Sequence, residues 1–270
     1  MKIQIDTLAY TNNLRWLPVE HKLLFATTLF MITYFSDPAV QILISIWISI
    51  WIVIYAAIPL KTYLRLVCLP LLFWLTSVPA LVMSWVNVTY LTTVQADSLI
   101  ATTIGSYYIY ISYQGIIQVL TILTRALASL SCLYFVMLTI PFTELLQTLR
   151  RIGLPQILTE LLLLMYRFIF VLLNTASELW TAQQARFGYR TFNSGMKSLA
   201  LLVGQLLQRT IENYRQISLS NESRGFNGEF RVWNSHHHKP SKRYLLEAIV
   251  GTTFLIVLTV YNNARLFTRI

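Results

Sequence analysis

Ala39–Ile58 reads AVQILISIWISIWIVIYAAI, 20 consecutive residues without a charge. About 20 apolar helical residues cross the hydrocarbon core of a bilayer, so this run predicts a membrane span. Before it lies Leu23–Phe35, an uncharged run of 13, and the two are separated by Ser36-Asp37-Pro38. Asp-Pro is a turn signal, and no soluble hairpin explains two such runs, so a tight helical hairpin is predicted. Leu66–Val86 is a third uncharged run, of 21 residues. A fourth span is read over Gly115–Ile140 and a fifth over Leu245–Tyr261. Asn87–Tyr107 is polar and aromatic, with Asp97 its only charge, and reads as an external loop.

Composition agrees with this pattern. The chain has 270 residues, is 56% hydrophobic and has a mean hydropathy of +0.57. That is too apolar for a soluble domain of this size and suits a polytopic membrane protein. The net charge is +10. On a soluble chain such a charge would raise nucleic acid as a partner; beside membrane spans, topology explains it first, and no nucleic acid is expected. Cys68 and Cys132 lie in apolar runs and read as small core residues. No signal peptide is read in residues 1–22; the first span is expected to direct insertion.

Lys and Arg mark the cytoplasmic side of a membrane protein. Residues 1–22 hold three, Lys61 and Arg65 add two between the second and third spans, and Phe142–Tyr244 holds thirteen. The loops at Asp37 and Asn87–Tyr107 hold none. The expected organisation follows: a cytoplasmic segment at 1–22, a bundle of four spans at 23–141, cytoplasmic helices at 142–244, and a last span with the C-terminus at 245–270. Arg265 and Arg269 then fall outside, against eighteen charges that agree with the assignment. The predicted fold is an all-α multi-pass protein of the plasma membrane, with about five spans, a helical cytoplasmic lobe and a cytoplasmic N-terminus.

The basic block itself reads as helical. Phe142–Ile152 is stopped by Gly153-Leu154-Pro155, a glycine at a helix end and a proline suited to opening the next helix. Gln156–Gln184 is a long helical pattern. Its apolar part, Leu161–Leu173, is short for a span and is expected to pack on the spans or lie in the interface. Ser198–Ser223 forms a third helix, with Val203, Leu207, Ile211, Tyr214 and Ile217 on one apolar face. The last two helices each run into an arginine turn: Ala185-Arg186-Phe187-Gly188 and Glu222-Ser223-Arg224-Gly225-Phe226. A cation suits a helix C-terminus, and glycine permits the positive φ of a C-cap, so one such turn reads as a capped helix with a solvated arginine. Two, on consecutive helices, point to a paired contact. Guanidinium can clamp carboxylates and carbonyls with a planar set of donors.

These features resemble the transmembrane T component of energy-coupling factor (ECF) transporters, of the cobalt/nickel CbiQ/NikQ type. The resemblance is carried by Ile5-Asp6-Thr7-Leu8-Ala9-Tyr10-Thr11-Asn12, by Arg150-Arg151-Ile152-Gly153-Leu154-Pro155, by Tyr166-Arg167-Phe168, and by Glu222-Ser223-Arg224-Gly225-Phe226-Asn227-Gly228-Glu229-Phe230-Arg231. It covers nearly the whole chain. It implies a non-catalytic coupling subunit of an ABC importer for cobalt or nickel ions, without a cofactor or metal site of its own. It also implies two ABC ATPase subunits as partners, a substrate-binding membrane subunit of the CbiM/NikM type, and a small accessory membrane subunit. Ala185, Arg186, Gly188, Glu222, Ser223, Arg224 and Gly225 are then the ATPase-coupling residues. Two departures stand out: Phe187 separates Arg186 from Gly188, and Ser223 replaces the usual alanine.

The remaining motifs constrain the alternatives. No G-x-x-x-x-G-K-[ST] phosphate loop and no H-E-x-x-H pair occurs. A coupling subunit for vitamin import fits the same pattern. An intramembrane enzyme would need a nucleophile–base or metal constellation, and a self-sufficient permease would need polar groups in its spans; neither is read here. His236-His237-His238 reads as a solvated linker or a weak metal site. Arg125, inside the fourth run, faces a partner or reaches the outer headgroups. Thr124, Ala128 and Cys132 form a stripe of small residues, for packing within the chain or against another.

Overall fold

A computed structural model describes residues 4–87, 98–104, 107–225 and 241–267. Helices α1 (Gln4–Thr11), α2 (Val19–Phe35), α3 (Pro38–Ile50) and α4 (Leu60–Val82) come first, and a single π-helical turn, Trp51–Tyr55, extends α3. Three strands follow: β1 (Met83–Asn87), β2 (Ser98–Ile104) and β3 (Tyr107–Ser112). Then come α5 (Tyr113–Thr139), α6 (Phe142–Ile152), α7 (Gln156–Ala185), α8 (Phe192–Ser223) and α9 (Lys242–Phe267). The chain divides into two compact units, one of residues 4–142 with α9, the other of residues 143–225.

In the first unit, α5 is the shared post. It packs against α1, α2, α3 and α4, and α9 covers α2 and α3. Phe25, Trp51 and Phe135 meet at its centre, with ring centroids 5.0 Å apart for Phe25–Trp51 and 5.5 Å for Phe25–Phe135. Ala128 and Cys132 are buried on α5, so the small-residue stripe serves packing within this chain. Cys68 is exposed on α4, contrary to the expectation that both cysteines are core. The hairpin of α2 and α3 turns at Asp37-Pro38 as read, with Pro38 opening α3.

The spans do carry polar groups, which sequence reading passed over. Fully buried Gln41 on α3 donates to the carbonyls of Thr33 at 3.2 Å and Ser36 at 2.9 Å, and its Oε1 accepts from Thr124 of α5 at 2.7 Å. Tyr63 of α4 joins Ser49 of α3 at 2.9 Å and Ser131 of α5 at 3.1 Å. The Tyr134 hydroxyl donates to the Leu66 carbonyl at 3.0 Å. At the other end of α5, Asn12 Nδ2 donates to the carbonyls of Leu138 at 3.3 Å and Thr139 at 3.4 Å, while buried Lys22 donates to Thr139 at 3.2 Å. Both side chains satisfy carbonyls that a helix end leaves without intrahelical partners. Glu247 is a carboxylate inside the run read as the last span; it accepts from Arg243 one helical turn earlier at 3.0 Å.

Five helices are long and apolar enough to cross a membrane: α3 with its π turn, α4, α5, α7 and α9. The number matches the sequence reading, but the membership differs. At 17 residues α2 is shorter than these five, yet its Phe25, Ala26 and Leu29 sit in the core beside α3 and α5. Helix α7 enters because it is one unbroken helix of 30 residues, while the sequence reading stopped its apolar part at Leu173.

The segment read as an external loop is also more ordered at its flanks. Its ends, with residues on either side, form an antiparallel sheet in the order β1-β3-β2, pairing Trp85 with Ile109 and Thr102 with Ile109. Tyr107-Tyr108-Ile109-Tyr110-Ile111 is rich in the aromatic and β-branched residues that favour strands. Its onset at Met83 ends the third span at Val82 rather than Val86. Asp97 lies outside the described residues. Arg125, exposed on α5, stacks over the ring of Tyr34 at the far end of α2, 5.6 Å from its centroid.

Gln41→Met removes the amide at nearly constant volume. The hydrogen bonds it breaks join α2, α3 and α5, and single interhelical bonds in membranes are worth about 0.6 kcal/mol, with a maximum near 1.7. A loss of about 1–2 kcal/mol is expected, read as a lower unfolding midpoint in mixed detergent.

Candidate coupling surface

The second unit is built on an antiparallel pair, α7 and α8. Glu178 of α7 meets Arg209 of α8 at 3.7 Å. Leu164, Arg167, Phe168 and Val171 line one cavity together with Asn213, Gln216, Ile217 and Asn221. Near the connecting turn, Ser198 of α8 donates to the Gly188 carbonyl at 2.9 Å. Contacts therefore run along most of both helices. Ahead of the pair, Gly153 ends α6 with φ +125°, and Leu154 N–H returns to the Leu149 carbonyl at 3.0 Å. Pro155 precedes α7, as its place in the sequence predicts.

Helix α8 starts earlier than read, at Phe192, because the Thr191 hydroxyl accepts from the Ser194 N–H and caps it. The interior Gly195 does not interrupt it. Thirty-two residues at about 1.5 Å each make α8 roughly 48 Å long. The two arginine turns sit at its opposite ends. They are not neighbours, and no single small groove can hold both.

The turns share one backbone form reached by different residues. Arg186 ends α7 with φ −94°, ψ 16°, and Arg224 ends α8 with φ −93°, ψ 7°. The next residue is left-handed in each: Phe187 at φ 57°, Gly225 at φ 69°. Phe187 N–H returns to the Gln184 carbonyl and Gly225 N–H to the Glu222 carbonyl, both at 3.0 Å. So Phe187, not Gly188, corresponds to Gly225. A left-handed conformation costs a residue with a Cβ about 1–2 kcal/mol, and Phe187 carries that cost.

Gly188 answers a different constraint. A Cβ there would lie 2.6 Å from the Ser198 hydroxyl and 3.0 Å from the Gln183 carbonyl. Its carbonyl accepts from both Ser194 and Ser198 at 2.9 Å, and its N–H donates to Gln183 at 2.9 Å. Tyr189 stacks on Trp180 at 4.2 Å and hydrogen-bonds Gln183 Oε1 at 2.6 Å. The first turn is thus tied to both helices. In the second, Ser223 Oγ donates to the Ser220 carbonyl at 2.9 Å, which leaves Arg224 to close the helix.

Ala185, Arg186, Glu222, Ser223, Arg224 and Gly225 are all exposed, and Gly188 is half-buried. Of the apolar face read on α8 only Ile217 helps close the hairpin, in the cavity shared with α7. Val203, Leu207, Ile211 and Tyr214 are exposed; Leu202, one position off that stripe, is buried instead. Leu161, Met165 and Ile169 of α7 are exposed as well. Residues 226–240, with the Asn227–Arg231 continuation of the second motif and His236-His237-His238, lie outside the described residues. Among the described residues no three His, Cys, Asp or Glu side chains gather in a way that could hold a metal ion.

Residues 11–233 match the family model of the cobalt transport protein CbiQ. The chain belongs to the CbiQ family. The match takes in both arginine turns and stops short of α9. Along 229 residues the chain is 27% identical to the cobalt transport protein CbiQ of Salmonella typhimurium, covering 84% of this chain and 99% of that one. It is 35% identical over 143 residues to the CbiQ of Rhodobacter capsulatus, covering 53% and 58%. It is 30% identical over 226 residues to a putative fused cobalt transport protein CbiMQ of Methanocorpusculum labreanum, covering 83% of this chain and 36% of the relative. With its apolar helices, the chain is a multi-pass membrane member of this cobalt transport family.

Gly188→Ala is expected to loosen the first turn at a cost of about 1–3 kcal/mol, the usual range for overpacking. Adding Ser198→Ala removes the nearest clash and should recover part of the loss. Thermal melting of the two single variants and the double variant gives the coupling directly.

Proposed function

We propose that this chain is the transmembrane coupling subunit of an ECF-type importer for cobalt ions. It does not hydrolyse ATP. The observation that carries the proposal is the repetition of one arginine-ended turn at both ends of a single hairpin, roughly 48 Å apart along α8. A spacing that large suits two separate partner subunits, each receiving one turn. The partners are two ABC ATPase subunits, whose grooves offer carboxylates and carbonyls to Arg186 and Arg224. Ala185, Gly188, Glu222, Ser223 and Gly225 set the backbone around the two guanidinium groups.

The hairpin, with the rest of residues 142–244, is assigned to the cytoplasmic side on its thirteen Lys and Arg, with the apolar part of α7 lying in the membrane interface rather than crossing. The N-terminus lies on the same side. The exposed apolar face of α8, with Leu161, Met165 and Ile169 of α7, receives a substrate-binding membrane subunit of the CbiM type. A relative in which CbiM and CbiQ are named as one fused protein supports that pairing. Coupling is mechanical: the ATPases change their separation on binding ATP, the hairpin ends follow, and its apolar face moves against the substrate-binding subunit.

Two experiments test this reading. If each arginine is buried in the complex, deleting it leaves the facing group unpaired, at a cost of about 3–5 kcal/mol. A solvated arginine would cost about 0–1 kcal/mol. Arg186→Ala/Arg224→Ala is therefore expected to abolish ATPase capture and cobalt uptake, while Arg215→Ala, at an exposed position on α8, stays near the parent. Wild-type capture and uptake by the double variant would remove the proposal's basis. For topology, a cysteine at Ser194 in a background with Cys68 and Cys132 replaced should resist an impermeant thiol reagent in intact cells, and one at Asp97 should react. The reverse pattern would overturn the orientation.

A further inference from the structure

The first arginine turn carries a large side chain that its geometry opposes. Phe187 occupies the left-handed position that Gly225 fills in the second turn, with the same return hydrogen bond behind it. Glycine would take that conformation without strain. The ring gains little from its own chain in exchange, since it is 77% exposed. Its neighbours in the turn behave differently: Tyr189 stacks on Trp180 and bonds Gln183, and Gly188 is held by two serine hydroxyls. The backbone of the turn is therefore held, and it presents Arg186 and an exposed aromatic ring at adjacent positions. Aromatic and arginine side chains are enriched at protein interfaces, arginine also among the residues that carry most of the binding energy.

We infer that Phe187 is a specificity-determining anchor. Its ring enters an apolar pocket beside the groove that receives Arg186 on one ATPase subunit, so the two ends of the hairpin make unequal contacts. The inference rests on the ATPase-docking reading given above. A protein pocket fits better than a bilayer because Gln183, Gln184, Arg186 and Arg190 bracket the ring, although the exposed apolar face of α8 begins close by at Phe192 and Met196. The second turn, with Gly225 at the matching position, docks by its arginine and backbone.

The test uses the full chain in detergent, titrated with the ABC ATPase subunits of its own transporter. Phe187→Gly and Phe187→Asn both accept the left-handed conformation, so both should melt at or above the parent temperature. Both should bind the ATPase subunits at least tenfold more weakly, while Phe187→Leu keeps most of the affinity. Parent-like binding by Phe187→Gly and Phe187→Asn would overturn the inference. So would weaker binding with a lowered melting temperature, which would make the ring a support of the fold. Arg224→Ala separates the two levels. If it loses binding while the Phe187 variants keep it, only the anchor fails; if none of them loses binding, the docking reading fails too. A cysteine at position 187 in lipid nanodiscs should react with an impermeant thiol reagent until the ATPase subunits are added. Protection already present without them would place the position in the bilayer and overturn the anchor.

Discussion

Helix α5 fastens its neighbours by hydrogen bonds spread along its length. Thr124 holds Gln41 of α3, Ser131 holds Tyr63 of α4, and Tyr134 reaches a carbonyl of α4. Its terminal carbonyls take Asn12, which follows α1, and Lys22 from α2. Hydrocarbon offers no water to a polar group, so each must find its partner inside the protein. Lipid removes the hydrophobic drive between helices, so van der Waals fit and these interhelical hydrogen bonds together set their register. The aromatic cluster of Phe25, Trp51 and Phe135 fills the space that they define.

The second unit follows a different logic. Its two helices leave many of their apolar side chains outward; Leu179 and Leu202 are buried, and Leu164, Phe168 and Ile217 line the cavity that α7 and α8 share. Stability within the pair rests on the tied turn at Gly188 and on contacts such as Arg209–Glu178, an exposed ion pair worth little by itself. A hairpin of this kind is complete only with something against its outer face. The two arginine turns at its ends reach the same φ and ψ by unlike means, one with glycine and one with a strained phenylalanine. Backbone geometry is thus shared where side-chain chemistry is not.

Much of this was legible in the sequence. Charge-free runs of span length located α3 and α4, apolar runs with one charge each, Arg125 and Glu247, located α5 and α9, and Gly153-Pro155 located the break before α7. The arginine turns were found because a cation followed by glycine is a helix-ending pattern. The first was read one residue out of phase: Gly188 was given the left-handed position that Phe187 takes, since spacing cannot show that a glycine is needed for clearance from Ser198. The apolar face of α8 was read correctly as a stripe, but periodicity does not say whether a stripe is covered. Helix α7 was read at nearly its full length, Gln156–Gln184 against Gln156–Ala185, but its apolar part was ended at Leu173 by the polar residues that follow, so it was not counted among the spans. The strands escaped notice because Asn87–Tyr107 was judged by polarity, and the β-branched and aromatic content at its flanks was not weighed. Gln41 was hidden by the hydrophobicity of its neighbours.

The helices of the first unit are unequal in length. Seventeen residues make α2 about 26 Å long, whereas α5, with 27, reaches about 40 Å. A hydrocarbon slab about 30 Å thick matches neither upright. The tip of the α2–α3 hairpin, with Tyr34 and Arg125 beside it, marks the shallow side, where a guanidinium needs the least travel to reach water. Lipids packed against that side must shorten their reach, while those along α4 and α5 need not. Helix tilt and local thinning of the bilayer reconcile the short flank with the long one, each at a modest cost per ångström of mismatch.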